Sequence, residues 1–376
     1  MKLLILGYEL PPIGGGTGRS LWNLLQAWPQ NSGWEIEVWT AAPPERTPRS
    51  LPPFIRVVEF SCLKKDLHYW RAQEMALLLW KAWRKSLDDS HYPDVILVWG
   101  AWPLAPLLLG SLGEIPAILA LRGSDVPGFN SRTSGLFWRY LAASVWNRAA
   151  VVTANSPALA KLAGKTARST PIEVIPNGVI IPAGTKIRGF PAEVIERKRP
   201  LRILAVSRLI PRKRIEWIIE AINMIPPNTR YPLEVTIAGD GPERYRLEAM
   251  VQEMDLASRI HFLGVVSNDQ LALLYRDADI FVHTSQAEGL SNALLEAMAN
   301  GLPCLCAEPT GFDDLDHALV ATPGVATMAK FILALSVSPD AYLEFSESSL
   351  KAVSRYTWKS VASRYIGLIH SVLEST

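Results

Sequence analysis

Short apolar runs alternate along the chain with longer stretches whose apolar positions recur at helical spacing. The runs fall at residues 2–8, 35–40, 56–60, 95–99, 117–122 and 151–155. Several are continuous in Val, Ile, Leu and Ala rather than alternating with polar residues, as expected of strands buried on both faces of a parallel sheet. Helical spacing over 21–28 and 72–87 fills gaps between them. A second series begins near residue 200. Its predicted strands are 202–207, 234–238, 260–263, 280–283 and 303–307, with helices over 215–224, 243–254 and 268–276. Two such series predict two Rossmann-like, doubly wound α/β domains. The N-terminal domain is expected over residues 1–180 and the C-terminal one over 201–356. Residues 181–200 hold Pro182, Gly184, Gly189 and Pro191, then the charged run Glu196-Arg197-Lys198-Arg199-Pro200. They read as an exposed linker, the alternative being a long loop inside one domain.

A length of 376 residues also favours two domains over one. A chain that is 49% hydrophobic and 20% charged is not a disordered one. The 38 Lys and Arg nearly cancel the 36 Asp and Glu, for a net charge of +2, which discounts nucleic acid as a partner. Cys62, Cys304 and Cys306 are spaced neither for a disulfide framework nor for zinc, and fit a reducing compartment. The apolar run after Met1-Lys2 ends at Gly7, short of the about 7–15 residues of a signal peptide. No stretch approaches the about 20 apolar residues of a spanning helix. A cytoplasmic location is expected, with peripheral contact at the inner face of a membrane left open.

Three segments could carry chemistry. The first, Pro11-Pro12-Ile13-Gly14-Gly15-Gly16-Thr17-Gly18-Arg19, follows the first strand and opens a helix. Its glycines would let the backbone approach a ligand, and a helix N-terminus favours an anion. A tight structural turn is the alternative. The second, Ser207 through Arg214, places four cations in seven residues at the end of a strand. Arg grips phosphate with paired hydrogen bonds, although charge runs are often merely solvated. In the third, Glu288 and Glu296 stand eight apart, with Gly289 after the first and a helix beginning near Asn292.

The run from His283 to Pro303 resembles the E-x7-E signature of retaining GT-B glycosyltransferases, in particular glycosyltransferase family 4. Further matches follow in the family's order. Pro12 to Leu25 resembles its glycine loop and helix, and Val174-Ile175-Pro176-Asn177-Gly178-Val179 the segment before its linker. Val206-Ser207-Arg208-Leu209 with Lys213 is similar to its G-R-L-x-x-x-K element. Ile237-Ala238-Gly239-Asp240-Gly241-Pro242 is similar to its A-G-x-G-P turn. Phe262-Leu263-Gly264 and the segment from Tyr275 to Val282 match as well.

The resemblance implies a GT-B fold: two Rossmann-like domains across a central cleft, with C-terminal helices at about 357–376 returning to the N-terminal domain. It implies a retaining hexosyltransferase that uses a nucleotide-sugar, a UDP-sugar first and GDP-mannose second. The acceptor would be a glycan, a lipid-linked molecule or a small molecule, in surface polysaccharide or glycolipid synthesis. Arg208 and Lys213 would hold the diphosphate, Glu296 the ribose, and Glu288 the transferred sugar. Backbone N–H groups of Gly289, Leu290, Ser291 and Asn292 would help hold phosphate or sugar. Gly15 and Gly16 would approach the donor from the other domain. The leaving phosphate would take the acceptor's proton, so that no enzymic nucleophile is needed. The alternative is an inactive GT-B binding or scaffold subunit.

Departures from the family pattern add expectations. Leu121-Arg122-Gly123-Ser124-Asp125 puts Arg122 where many members carry His in H-G-x-D. A donor-facing guanidinium is one reading, and a structural Arg paired with Asp125 the other. Thr310-Gly311-Phe312-Asp313-Asp314 departs from the usual G-G-x-x-E. No cofactor or metal is expected, since Asp277-Ala278-Asp279 and Asp314-Leu315-Asp316 read as helix-end or surface acids. Eleven of the 13 tryptophans precede residue 150. Trp99, Trp102 and Asp125 are acceptor-side candidates. Trp70, Trp80 and Trp83, among Arg71, Lys81, Arg84 and Lys85, read as core first and as a membrane-interface helix second.

Overall fold

The apolar run Val95–Trp99 is buried along its whole length and lies at the centre of a seven-stranded parallel sheet. The computed structural model describes residues 1–30, 33–45, 49–67, 70–88, 92–129, 135–167, 169–286 and 290–375. Two units emerge, residues 1–178 with 358–376, and residues 179–357.

In the first unit the strands are β1 (Lys2–Leu6), β2 (Glu35–Ala41), β3 (Ile55–Phe60), β4 (Val95–Trp99), β5 (Ala117–Leu121), β6 (Val151–Ala154) and β7 (Ile172–Val174). Their order is β3-β2-β1-β4-β5-β6-β7. The chain therefore steps outward from β1 in one direction, then returns and steps outward from β4 in the other. Helices α1 (Gly16–Gln26), α2 (Ala72–Ser86), α3 (Leu136–Trp146) and α4 (Pro157–Ala163) connect them. α1 buries Leu21, Leu24 and Leu25 against one sheet face, in one cluster with Val361, Tyr365 and Ile369 of the last helix, Trp358–Glu374. The other face packs on α2 through Leu78 and Ala82, on a 3-10 turn at Ala105–Leu109, and on α3 and α4.

The second unit holds α5 (Ala192–Ile195), β8 (Leu201–Val206), α6 (Glu216–Met224), β9 (Leu233–Ala238), α7 (Arg244–Glu253) and β10 (Ile260–Gly264). It continues with α8 (Asn268–Asp277), β11 (Ile280–His283), α9 (Asn292–Ala299), β12 (Cys304–Cys306), α10 (Asp313–His317) and β13 (Val320–Ala321). Helices α11 (Val325–Val337) and α12 (Pro339–Val353) end the unit, and the last helix of the first unit is α13. The parallel sheet runs β10-β9-β8-β11-β12-β13, so direction reverses between β8 and β11.

Two expectations change. Residues 181–200 are mostly exposed, as expected of a linker, but they group with the second unit and are tied to it at several points. Phe190 packs against Tyr231 and Tyr342, with ring centroids 5.6 and 5.5 Å away, and Val194 is fully buried. The Arg188 guanidinium donates to the carbonyls of Tyr275 and Ala278 at the end of α8, and the Arg199 guanidinium grips Asp279 with two hydrogen bonds of 2.6 and 2.9 Å. Arg188 and Arg199 thus serve anchorage while Glu196, Arg197 and Lys198 stay exposed, a difference that composition alone does not show. The tryptophans of α2 also depart from expectation: Trp80 and Trp83 are 47% and 45% exposed, and only Trp70, ahead of the helix, packs on the core. At 3.6 residues per turn, positions 80 and 83 lie opposite Leu78 and Ala82.

Candidate active site

Ligands of open α/β sheets bind beyond the carboxyl ends of the strands where the strand order reverses. In the second unit that point lies between β8 and β11, and the sequence places Arg208 to Lys213 directly after β8 and Leu290 to Glu296 after β11.

The Arg208 loop is fixed by its backbone. Ser207 N donates to Ala238 O and Leu209 N to Asp240 O, while Glu243 N donates to Leu209 O. Gly239 and Gly241 allow this contact, because a Cβ on either would collide with the carbonyl of Ser207 or Leu209. The A-G-x-G-P-like turn is thus the bed on which the loop lies. Leu209 is fully buried beneath it and Arg208 is exposed. Lys213 closes a 3-10 turn, Pro211–Lys213, and is itself buried. The chain after β11 is strapped to this turn: Thr284 Oγ1 donates to Lys213 O at 2.6 Å, and Gln286 N to Arg212 O at 2.8 Å. Next to it Arg214 takes a left-handed backbone (φ 48°), stacks over Trp217 and pairs with Glu308.

α9 begins just beyond. Leu290 is buried in the core, and Ser291 caps the helix by accepting Leu294 N on its hydroxyl. The helix buries Leu294, Leu295, Ala297, Met298 and Ala299. Asn292 and Glu296 share the opposite stripe, one turn apart and half-buried. Glu288 and Gly289 lie outside the described residues. The acids of the two D-x-D segments are engaged within the unit. Asp279 takes the Arg199 fork, Asp316 accepts Thr310 N, Thr310 Oγ1 and Gly311 N, and Asp314 accepts the Tyr356 hydroxyl. Among the described residues no group of three or more His, Cys, Asp or Glu side chains could hold a metal ion.

In the first unit the order reverses between β1 and β4, and the glycine loop follows β1. Gly15 is the N-cap of α1 and Gly16 its first residue, so the helix starts five residues before the sequence pattern of 21–28 suggested. The anion at this helix start is the protein's own. Glu9 is buried, accepts the backbone N–H of Gly15 and Gly18, and accepts Trp70 Nε1 at 2.9 Å. Burial pushes its carboxyl above the ordinary range, and those hydrogen bonds oppose the rise. Sequence reasoning passed over Glu9, although a lone acid ending an apolar strand before Pro-Pro was a signal. The glycines differ in purpose. Gly14 has φ +97°, and a Cβ there would collide with Glu9. A Cβ at Gly15 would meet nothing within 4 Å, so the protein's own packing does not call for glycine there.

Trp99, Asp125 and Arg122 are corrected by the structure. Trp99 is fully buried, with its Nε1 shared between Thr17 O and Ser20 Oγ, so its ring has no face for a sugar. Asp125 is 5% exposed, and its carboxylate accepts the N–H groups of Ala101, Arg122 and Gly123. Burial pushes its carboxyl upward and those bonds oppose the rise. It is the clamp of the Arg122 turn, not a surface for an acceptor. The Arg122 guanidinium turns inward. It lies 3.2 Å over the Trp99 ring, and donates to Asn177 Oδ1 at 2.9 Å and to the Tyr365 hydroxyl at 3.2 Å. Burial lowers its pKa from the ordinary value, while Tyr365 and Asp125 pull it back up. It therefore neither faces outward toward a donor nor pairs its side chain with Asp125. Trp102 stays half-buried, donating Nε1 to Asp125 O and meeting Trp138 edge-on.

Two family descriptions together match most of the chain. "Glycosyltransferase Family 4" covers residues 14–181 and "Glycosyl transferases group 1" covers residues 189–320. The chain belongs to glycosyltransferase family 4. Curated family members resemble parts of it. A subunit of phosphatidylinositol N-acetylglucosaminyltransferase of Arabidopsis thaliana is 29% identical over 181 residues, 46% of this chain and 39% of that protein. O-antigen chain mannosyltransferase B of Escherichia coli is 28% identical over 167 residues, 43% and 44% of the two. The chain thus spans less than half the length of these relatives. Among solved structures, HepE of Anabaena in complex with UDP aligns with a TM-score of 0.73 at 20% identity, over 99% of this chain and 100% of that one. The fold is that of GT-B glycosyltransferases. No helix among the described residues is long and apolar enough to cross a membrane.

Proposed function

We propose that this family 4 chain is a retaining, metal-independent glycosyltransferase that moves a hexose-type sugar from a nucleotide-sugar to an acceptor hydroxyl. A UDP-sugar is the first choice of donor and GDP-mannose the second. One observation carries the reading: Arg208 and Lys213 follow β8, Asn292 and Glu296 follow β11, and the strand order reverses between those two strands. Breaking a sugar–phosphate bond leaves positive charge on the anomeric carbon and negative charge on the departing diphosphate. Fixed cations that need no reorganisation stabilise that separation. Arg208, exposed on a rigid loop, and Lys213, held by the 284–286 strap, would supply them. Glu296 would accept ribose hydroxyls, and Glu288 would touch the transferred sugar. The acceptor hydroxyl would attack from the face the phosphate leaves, giving its proton to that phosphate. The UDP complex of HepE and the glycan and lipid names of the relatives support a UDP-sugar and an acceptor in polysaccharide or glycolipid synthesis.

The test is thermal unfolding with UDP, GDP, ADP and their sugar conjugates. A nucleotide present far above its Kd should stabilise the protein by about 3–4 kcal/mol. The expected result is a shift with UDP that Arg208→Ala abolishes. Well-folded protein that shifts with none of them would sink the reading. The inward Arg122 favours a second reading, a binding subunit without turnover, because the residue in the family's His place is committed to packing. Slow donor hydrolysis, which such a subunit would lack, separates the two.

A further inference from the structure

The second unit carries a cleft of about 340 Å³ at the amino ends of its strands. Arg202 lies in β8 near its start and Asp279 just before β11, whereas the Arg208 loop and α9 follow the carboxyl ends of those strands. Six-residue β8 separates the two ends by about 17–20 Å. Arginines dominate the wall of the cleft: Arg188, Arg199, Arg202 and Arg276 stand against Glu193, Asp277 and Asp279. The three acids are already engaged. Arg199 pairs with Glu193 and Asp279, and Arg276 with Asp277. Arg188 donates only to carbonyls, those of Tyr275 and Ala278, and so offsets the negative end of α8 that would otherwise repel an anion. The exposed Arg202 guanidinium has no hydrogen bond or ion pair among the described residues. Two of the four cations thus lack a carboxylate partner. Gly189 belongs to the same wall. A Cβ there would meet nothing within 4 Å, and its φ is not left-handed, so neither packing nor backbone calls for glycine.

We propose that this cleft is a second ligand site, for a small phosphate monoester. Four guanidiniums against three carboxylates leave one net positive charge before a ligand enters. A phosphate monoester brings about −1.5 to −2 at neutral pH, and a guanidinium fork matches two of its oxygens. Arg202, free to turn, and Arg276, whose side chain is 67% exposed, would grip the phosphate, while the anchored Arg188 and Arg199 hold their charges in place. Glu193 and Asp277 keep oxygens in water, with side chains 66% and 50% exposed, and those oxygens suit hydroxyl groups. The rest of the ligand is therefore polyhydroxylated, as in a glycerol or sugar phosphate. The volume lies within the about 300–1,000 Å³ of small-molecule sites. A wall of charges is too costly to dehydrate against an apolar ligand. No residue of this cleft belongs to the proposed donor site.

The experiment is calorimetric titration of the full chain with glycerol phosphate, glucose-6-phosphate and inorganic phosphate at constant ionic strength, with glucose as the uncharged control. At least one ester is expected to bind more tightly than inorganic phosphate, and glucose not at all. Arg202→Gln should weaken ester binding by about tenfold or more, and Arg202→Gln/Arg276→Gln should weaken it further. Both side chains are exposed, so an unchanged melting temperature without ligand verifies that the variants are folded. Arg208→Ala should leave the Kd of the ester unchanged, which separates this site from the donor site whatever UDP does. Absence of ester binding, or ester binding indifferent to both arginine variants, overturns the proposal. So does ester binding that Arg208→Ala abolishes, since the ligand would then sit at the other end of the sheet. Inorganic phosphate bound as tightly as either ester overturns the assignment of a monoester.

Discussion

The Arg122 guanidinium stacks 3.2 Å above the indole of Trp99 and reaches past it to the Tyr365 hydroxyl on α13. One cation thus joins the carboxyl ends of β4 and β5, the Asn177 segment and the C-terminal helix. Arg122→Ala removes the stack and the hydrogen bonds to Asn177 Oδ1 and the Tyr365 hydroxyl, which keeps its bond to Thr153 Oγ1, an expected loss of about 1–3 kcal/mol. Arg122→Met should recover part of it by refilling the space over Trp99. Neither should alter UDP affinity. Chemical denaturation beside UDP titration checks this, and an Arg122→Ala protein of full stability with poor UDP binding would restore the donor-facing role.

Backbone bonds fix the turn that Lys213 closes, so Lys213→Met, which keeps the buried stem, tests its charge. Lys213→Met should keep the melting temperature within about 2 °C, as expected when stability changes by under about 0.5 kcal/mol. If the ammonium stabilises the leaving diphosphate, kcat should fall by about 10²–10³ with little change in KM. Steady-state kinetics on the preferred donor read the split. A pure KM effect would make Lys213 a ground-state contact.

Gly14 and Gly15 are neighbours with different reasons to be glycine. Gly14→Ala forces a Cβ into Glu9 at a left-handed φ, and should cost more than about 1 kcal/mol. Gly15→Ala should leave stability within about 0.5 kcal/mol. A loss of turnover in Gly15→Ala at full stability would show that a substrate needs the space. Unchanged turnover would remove Gly15 from the site.

Lys64 and Glu74 form an almost fully buried ion pair 3.3 Å long. Burial raises the Glu74 carboxyl, but backbone N–H groups of Arg71 and Lys65, with the Lys64 charge, outweigh it and hold the pKa below the ordinary range. A depressed folded pKa stabilises above the unfolded value, near about 4.3, and that stability is lost as pH falls through the folded value. Glu74→Gln leaves Lys64 buried without its counter-charge, an expected loss of about 3–5 kcal/mol at neutral pH. It should also flatten the acid limb of stability against pH. An acid limb as steep as in wild type would assign it to other carboxylates.

The sequence by itself determined most strands of the two sheets, to within two residues at their ends. Runs such as Val95–Trp99 and Ile280–Val282 are apolar throughout, and only a strand covered on both faces buries such a run. It also determined the Arg208 to Lys213 segment, because charge, Pro and a preceding strand are local features. Short edge strands such as β7 and β13 escaped it, since three residues and two carry no period. What local pattern could not decide was which way a side chain faces and which partner it meets. Trp99 and Trp102 are three apart, yet one is sealed beneath Arg122 and the other reaches the surface. Arg199 reads as part of a solvated charge run until Asp279, eighty residues on, supplies both of its acceptors. Glu9 fills the helix start that looked ready for a ligand's anion. Trp99 and Arg199 were settled by contacts between residues far apart in the chain, and Glu9 by a loop that folds back on it, and packing alone sets which groups are taken out of water together.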